Sequence, residues 1–247
     1  MPVHHKATFR MDFAPNFDLV DGPGRLMKLL TQTYPKLWQS VHEVRDERRV
    51  GASFSDQKSE YVSHREIWTD PTTITFVIED AAGIELNAGV ATTIGKITEI
   101  LDRLADDFKI QDLKRAGFRV MTLSNVAGSP NAVCGRIRGL ISESITNLVE
   151  KSGSIDDLGI TFEGGIDSIR YRAQFGPYFN IKEHKKFFPK IETPSRRMVE
   201  ADLICDLDLF EHDLSFKGRK PSNWLRLQMS SAEKYCSRIS KLIGAIP

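Results

Sequence analysis

Cysteine is scarce and unpatterned in this chain. Only Cys134, Cys205 and Cys236 occur, far apart and with no CxxC. An odd, scattered set argues against a disulfide framework and against a cysteine zinc site, and it fits a reducing compartment. Long apolar runs are missing too. No stretch approaches the ~20 apolar residues of a membrane-spanning helix. The opening "MPVHHKATFRMDF" has no apolar run ahead of its first strand-like segment, so no secretory signal is read there. The expectation is a cytoplasmic protein with no membrane partner.

A dominant charge is also lacking. The net charge of +1 excludes the strongly basic signature of a dedicated nucleic-acid binder and leaves room for a local patch. Residues 1–116 carry 15 Lys/Arg and 18 Asp/Glu, a net of −3, while residues 117–247 carry 19 and 15, a net of +4. No HExxH, HxH or GxSxG occurs, and "DGPG" and "EGG" are too short for a phosphate cradle, so turns explain both. No metal and no cofactor is expected.

What is present is an ordinary globular composition: 247 residues, 40% apolar and 27% charged. That length suits one large domain or two packed halves. Phe9, Met11 and Phe13 alternate as one face of a strand. Residues 24–44 carry Leu26, Leu29, Leu30, Leu37, Trp38 and Val41 at helical spacing, with Pro35 as a kink or break. Strand-like runs follow at "RRVGASFS", "EYVSHREIWT" and "TTITFVIED", with "IELNAGV" as a short addition. In "TTIGKITEILDRLADDF" the residues Ile94, Ile97, Ile100, Leu101, Leu104 and Phe108 form an amphipathic stripe.

"GFRVMTLSNV" reads as the next strand. A helix capped by Asn131 is expected to run to about Lys151 on Val133, Ile137, Leu140, Ile141, Ile145 and Leu148. Strands return at "LGITFEG", "SIRYRAQFG" and "MVEADLICDLDLF". A last helix over 224–243 carries Leu227, Tyr235, Ile239 and Leu242, with Ser222 as its cap. The order repeats, which predicts an α+β fold of two related halves, 1–116 and 117–247. Each would be strand, helix, antiparallel strands, helix, with the helices on one side of the sheet, as an internal duplication would give; one continuous sheet with helices packed on one side is the alternative.

Two segments carry the candidate chemistry. In "VEADLICDLDLF" the even positions include Glu200, Asp202, Asp206 and Asp208, and in "SIRYRAQF" one face carries Arg170, Arg172 and Gln174. If the strands are neighbours, Arg170 and Arg172 meet Asp202, Asp206 and Asp208 as a charged sheet face, worth roughly 0.2–1 kcal/mol per opposite-charge pair. Carboxylates two apart on a strand, ~7 Å along it, also fit a divalent-metal site. The second segment, "NIKEHKKFFPKIETPSRRM", places Lys182, Lys185, Lys186, Arg196 and Arg197 around Phe187 and Phe188. Basic side chains with interleaved aromatics suit phosphate contact and stacking, but a solvated loop pinned to the core by its two Phe residues is the plainer explanation, because such charge runs usually face water.

"AGFRVMTLSNV", "DLICDLDLF" and the closing "LRLQMSSAEKYCSRISKLI" together resemble a sporadically distributed, uncharacterised bacterial protein family. The matching positions are Arg119, Asn125, Asp206 and Asp208, while Gln228 stands where that family often has His. The resemblance implies architecture and carries no activity. The expected function is a bacterial, non-catalytic binding or assembly module with a protein partner or a second copy of itself. A nucleic-acid binder using 182–197 and a metal-dependent hydrolase using Asp206 and Asp208 are the alternatives.

Overall fold

The computed structural model describes residues 2–44, 48–56, 62–87, 92–142, 145–146 and 157–246. Its centre is a pair of long strands, β1 (Val3–Phe13) and β6 (Asp112–Ser124), joined antiparallel. On the β1 side follow β5 (Thr73–Ile84), β4 (Ser63–Asp70), β3 (Arg49–Asp56) and β2 (Ser40–Val44). On the β6 side follow β9 (Leu203–Ser215), β8 (Ile169–Pro177) and β7 (Ile160–Ile166). Among the described residues every pairing is antiparallel, and together they form one nine-stranded sheet.

This overturns the expected pair of strand–helix halves. The sheet is continuous and dominates the fold, and the boundary at 116/117 falls inside β6. Alternation along single strands indicates a sheet but carries no information about which strands adjoin, so two related halves and one continuous sheet share the same sequence pattern.

Helices cover the first face. These are α1 (Phe17–Asp21), α2 (Pro23–Lys28), α3 (Thr93–Asp107), α4 (Pro130–Gly139) and α7 (Pro221–Ala245). The predicted stripe of α3 is buried, with Ile100, Leu101 and Leu104 at 0% exposure. Each such side chain contributes on the order of 1.5–3 kcal/mol. Phe9, Met11, Phe118, Val120, Leu207 and Leu209 face it from the sheet in one main core. Asp102 of α3 accepts from the amide and hydroxyl of Ser222 (2.9 and 2.7 Å), tying α3 to the first turn of α7.

The expectation of helices on one side fails as well. The segment with α5 (Asn180–Phe187) and α6 (Arg196–Val199) lies on the second face. There Tyr178, Phe188, Ile191 and Met198 pack with Met121, Leu123 and Ile204 in a separate cluster. Those sheet residues alternate with the ones that face the main core, so they point the other way.

Helix α2 continues only as a wide turn, Leu29–Thr33, and Ser40–Val44 is an edge strand. Pro35 ends the helical stretch by removing a backbone donor, and the helical spacing of Trp38 and Val41 is coincidental. Ser129, not Asn131, caps α4: its hydroxyl accepts from the Ala132 amide at 3.2 Å, and Pro130 takes the first turn. Helix α4 stops at Gly139, Leu140 and Ile145 are exposed, and the expected Leu148 lies outside the described residues. Strand β5 runs through Ile84, and residues 88–90 of "IELNAGV" lie outside the described residues. Leu227 and Leu242 face outward on α7, which buries Trp224, Leu225 and Met229 instead.

Candidate functional site

The second face of the sheet is left uncovered from β1 to β7 beyond the α5–α6 segment. Register places Thr8, Arg119, Asp208, Arg172 and Glu163 in one row across β1, β6, β9, β8 and β7. The neighbouring row is Arg10, Gly117, Phe210, Arg170 and Gly165. The expected meeting of the Arg and Asp strands is present, because Arg172 stands opposite Asp208.

The ion pairs use other partners. Arg119 grips Asp206 twice, Nε to Oδ1 at 2.7 Å and Nη2 to Oδ2 at 2.5 Å. Arg115 reaches Asp208 at 3.1 Å and lies over the Phe210 ring at 4.9 Å. Its path crosses Gly117, where a Cβ would stand 3.2 Å from the guanidinium. Glycine here provides the floor on which Arg115 lies flat. Arg172 turns to Glu163 at 3.4 Å. His212 meets the edge of Phe210 at 5.4 Å. Burial holds the Asp208 carboxyl above its ordinary range, against the pull of Arg115 and Arg119. Arg115, Arg170, Arg172, Asp208 and Glu163 line an open cleft of about 650 Å³.

Asp202 does not belong to this face. It precedes β9, is 1% exposed, and accepts the backbone amides of Val126, Ala127 and Gly128 at 2.9, 2.7 and 2.6 Å. The "VEAD" part of the alternation is a helical turn and a crossing, so Glu200 and Asp202 are off the strand. Asp202 organises the loop ahead of α4.

The basic segment sits on the same side of the sheet, at its other end. Lys182, Lys185 and Lys186 are exposed along α5, and Arg196 and Arg197 along α6. Phe188 is wholly buried, packing edge-on against His5 and Tyr178 at 6.2 and 6.4 Å. Below it, buried Glu79 pairs with Lys6 at 2.7 Å and accepts the Lys190 amide at 2.9 Å, while Lys6 also donates to the Phe187 carbonyl at 3.2 Å. Here Phe188 pins the segment and the basic heads remain in solvent.

The arrangement is a fixed pattern of alternating charge. Both oxygens of Asp206 and one of Asp208 are occupied by guanidinium groups, which disfavours their use as ligands or as an acid–base couple. Among the described residues, no group of three or more His, Cys, Asp and Glu is placed to hold a metal. No described helix is long and apolar enough to cross a membrane. Arg115, Glu163 and Phe210 were not singled out by the sequence. The signal for Arg115 was the alternation in "RAGFR", which puts Arg115 and Arg119 on one face.

No protein-family model, curated protein or solved structure matches the chain, so the resemblance to a bacterial family rests on Arg119, Asn125, Asp206 and Asp208 alone.

Proposed function

We propose that the chain is a cytosolic, non-catalytic binding or assembly module that works through the uncovered sheet face and its β7 edge. The observation that carries this reading is the pairing of Asp206 with Arg119 and Asp208 with Arg115. It turns the most reactive-looking residues into a rigid, charged surface. The surface ends at β7, which pairs with β8 on one side and with no described strand on the other. Free strand edges accept further strands, and β7 carries neither the Lys nor the Pro that commonly blunts them.

Thr161→Pro tests the reading. Proline at an edge residue whose amide points outward blocks strand addition and spares the β7–β8 ladder. Sedimentation of wild type should show a mass above that of one chain, and the variant should fall to the monomer. Equal masses for both proteins contradict assembly through this edge.

A second reading has its own observation: Lys182, Lys185, Lys186, Arg196 and Arg197 are all exposed on the side of the open face. They suit the phosphates of a single-stranded nucleic acid. Replacing them with Ala should weaken oligonucleotide binding and flatten its salt dependence. Absent binding, or binding indifferent to salt, removes this reading.

A further inference from the structure

We propose that the occupant of the β7 edge is the β7 of a second copy, paired antiparallel with Gly164 on the two-fold axis. This rests on the assembly reading and specifies its partner and register.

Backbone direction limits the registers first. Strands β7 and β8 are joined by the two-residue turn Asp167–Ser168, with Asp167 at φ 55°, and Ile166 faces Ile169. A two-residue hairpin closes on a hydrogen-bonded pair, and the ladder alternates from there. Ile160, Phe162, Gly164 and Ile166 therefore direct their backbone groups towards β8. Thr161, Glu163 and Gly165 direct theirs outward, so outward residues must face outward residues in any added strand.

Side chains choose among the registers that remain. Setting Glu163 against the second copy's Glu163 opposes two carboxylates, and setting Gly165 against Gly165 brings Glu163 to Asp167. Like charges directly opposite are destabilising. Between these lies the register in which Glu163 faces the second copy's Gly165. The Arg170 side chain lies over Gly165, with its Cδ and Nη1 3.0 and 3.1 Å from where a Cβ would stand. Among the described residues Arg170 has no ion-pair partner. The incoming Glu163 completes one, extending the row of alternating charge across the junction.

The other face agrees. Phe162 and Ile166 are 49% and 70% exposed, large apolar side chains on one side of an edge strand. In this register Phe162 of each copy stands opposite Ile166 of the other. The contact is self-complementary, as a two-fold interface requires. Two nine-stranded sheets become one.

Cysteine cross-linking reads the register directly. Phe162 and the second copy's Ile166 form a non-hydrogen-bonded pair, with Cα atoms about 4.5 Å apart, within disulfide reach. Phe162→Cys and Ile166→Cys chains, each also carrying Cys134→Ser, are mixed and oxidised with oxidised glutathione. The mixture should give a disulfide-linked heterodimer, and each variant alone should stay unlinked. A variant that links to itself as readily overturns the register. No link in any sample overturns the inference: if wild type still sediments as a dimer, the assembly reading stands, and if it is a monomer, self-association falls with it.

Discussion

Arg119 and Asp206 share two hydrogen bonds across β6 and β9, the tightest ion pair on the uncovered face. The pair is diagonal, since the residue directly opposite Arg119 is Asp208. Arg119 is half exposed, so solvent screening limits the pair to about 1 kcal/mol despite its geometry. A double-mutant cycle with Arg119→Ala and Asp206→Asn should give a coupling of about 0.5–1 kcal/mol that shrinks in high salt. A coupling unaffected by salt contradicts a screened surface pair.

The cradle under Arg115 predicts a change of sign. Gly117→Ala should destabilise wild type by about 1 kcal/mol, because the new methyl pushes the guanidinium off Phe210 and Asp208. After Arg115→Ala has emptied the space, the same change should stabilise by about 0.5 kcal/mol, the usual gain on replacing a strand glycine. Denaturant midpoints of the four proteins measure both. Equal effects in both backgrounds would mean that Gly117 has another role.

The second-face cluster should be the stronger anchor. Phe188→Ala removes a wholly buried ring and is expected to cost about 3–5 kcal/mol. Lys185→Ala and Lys186→Ala, on the exposed side of α5, should cost less than about 0.5 kcal/mol each. Limited proteolysis in the 189–195 stretch should accelerate in Phe188→Ala alone.

Acid should weaken the fold through its N-terminal histidines. His4 bonds Thr122 at 2.8 Å, and burial brings its pKa down to about 4 from 6.5. Burial also lowers His5. A group whose folded pKa lies below its unfolded value binds protons more readily when unfolded. The stability is therefore complete above about pH 6.5 and is lost as the pH falls towards 4. Between pH 7 and pH 5 His4 alone should cost about 2 kcal/mol. Asp80 and Asp208, held above the ordinary carboxylate range by burial, act in the opposite sense nearer that range. Urea melts at both pH values should show the loss, and His4→Asn should reduce it.

Helix α3 was legible because its stripe meets a core at each turn, and the opposed charges of β8 and β9 were legible because strand alternation sorts them by face. Asp202 departs from the strand pattern for a physical reason. The alternation continues through "VEAD", but its carboxylate is claimed by three amides some 75 residues away in sequence, a contact no local pattern encodes. Residues 40–44 carry apolar groups at helical spacing, yet their partner is β3, and pairing overrode the spacing. The continuity of the sheet depends on β1 meeting β6, a long-range choice of neighbour. The Arg115–Asp208 pair likewise needs Gly117 between the two residues in space.

Sedimentation velocity on a charge-swap series tests the β7 assembly most directly. Wild type should run as a dimer. Glu163→Arg should run as a monomer, because it sets two arginines against each other at the junction. Glu163→Arg combined with Arg170→Glu should restore the dimer. A monomeric wild type, or three proteins of one mass, would contradict the account.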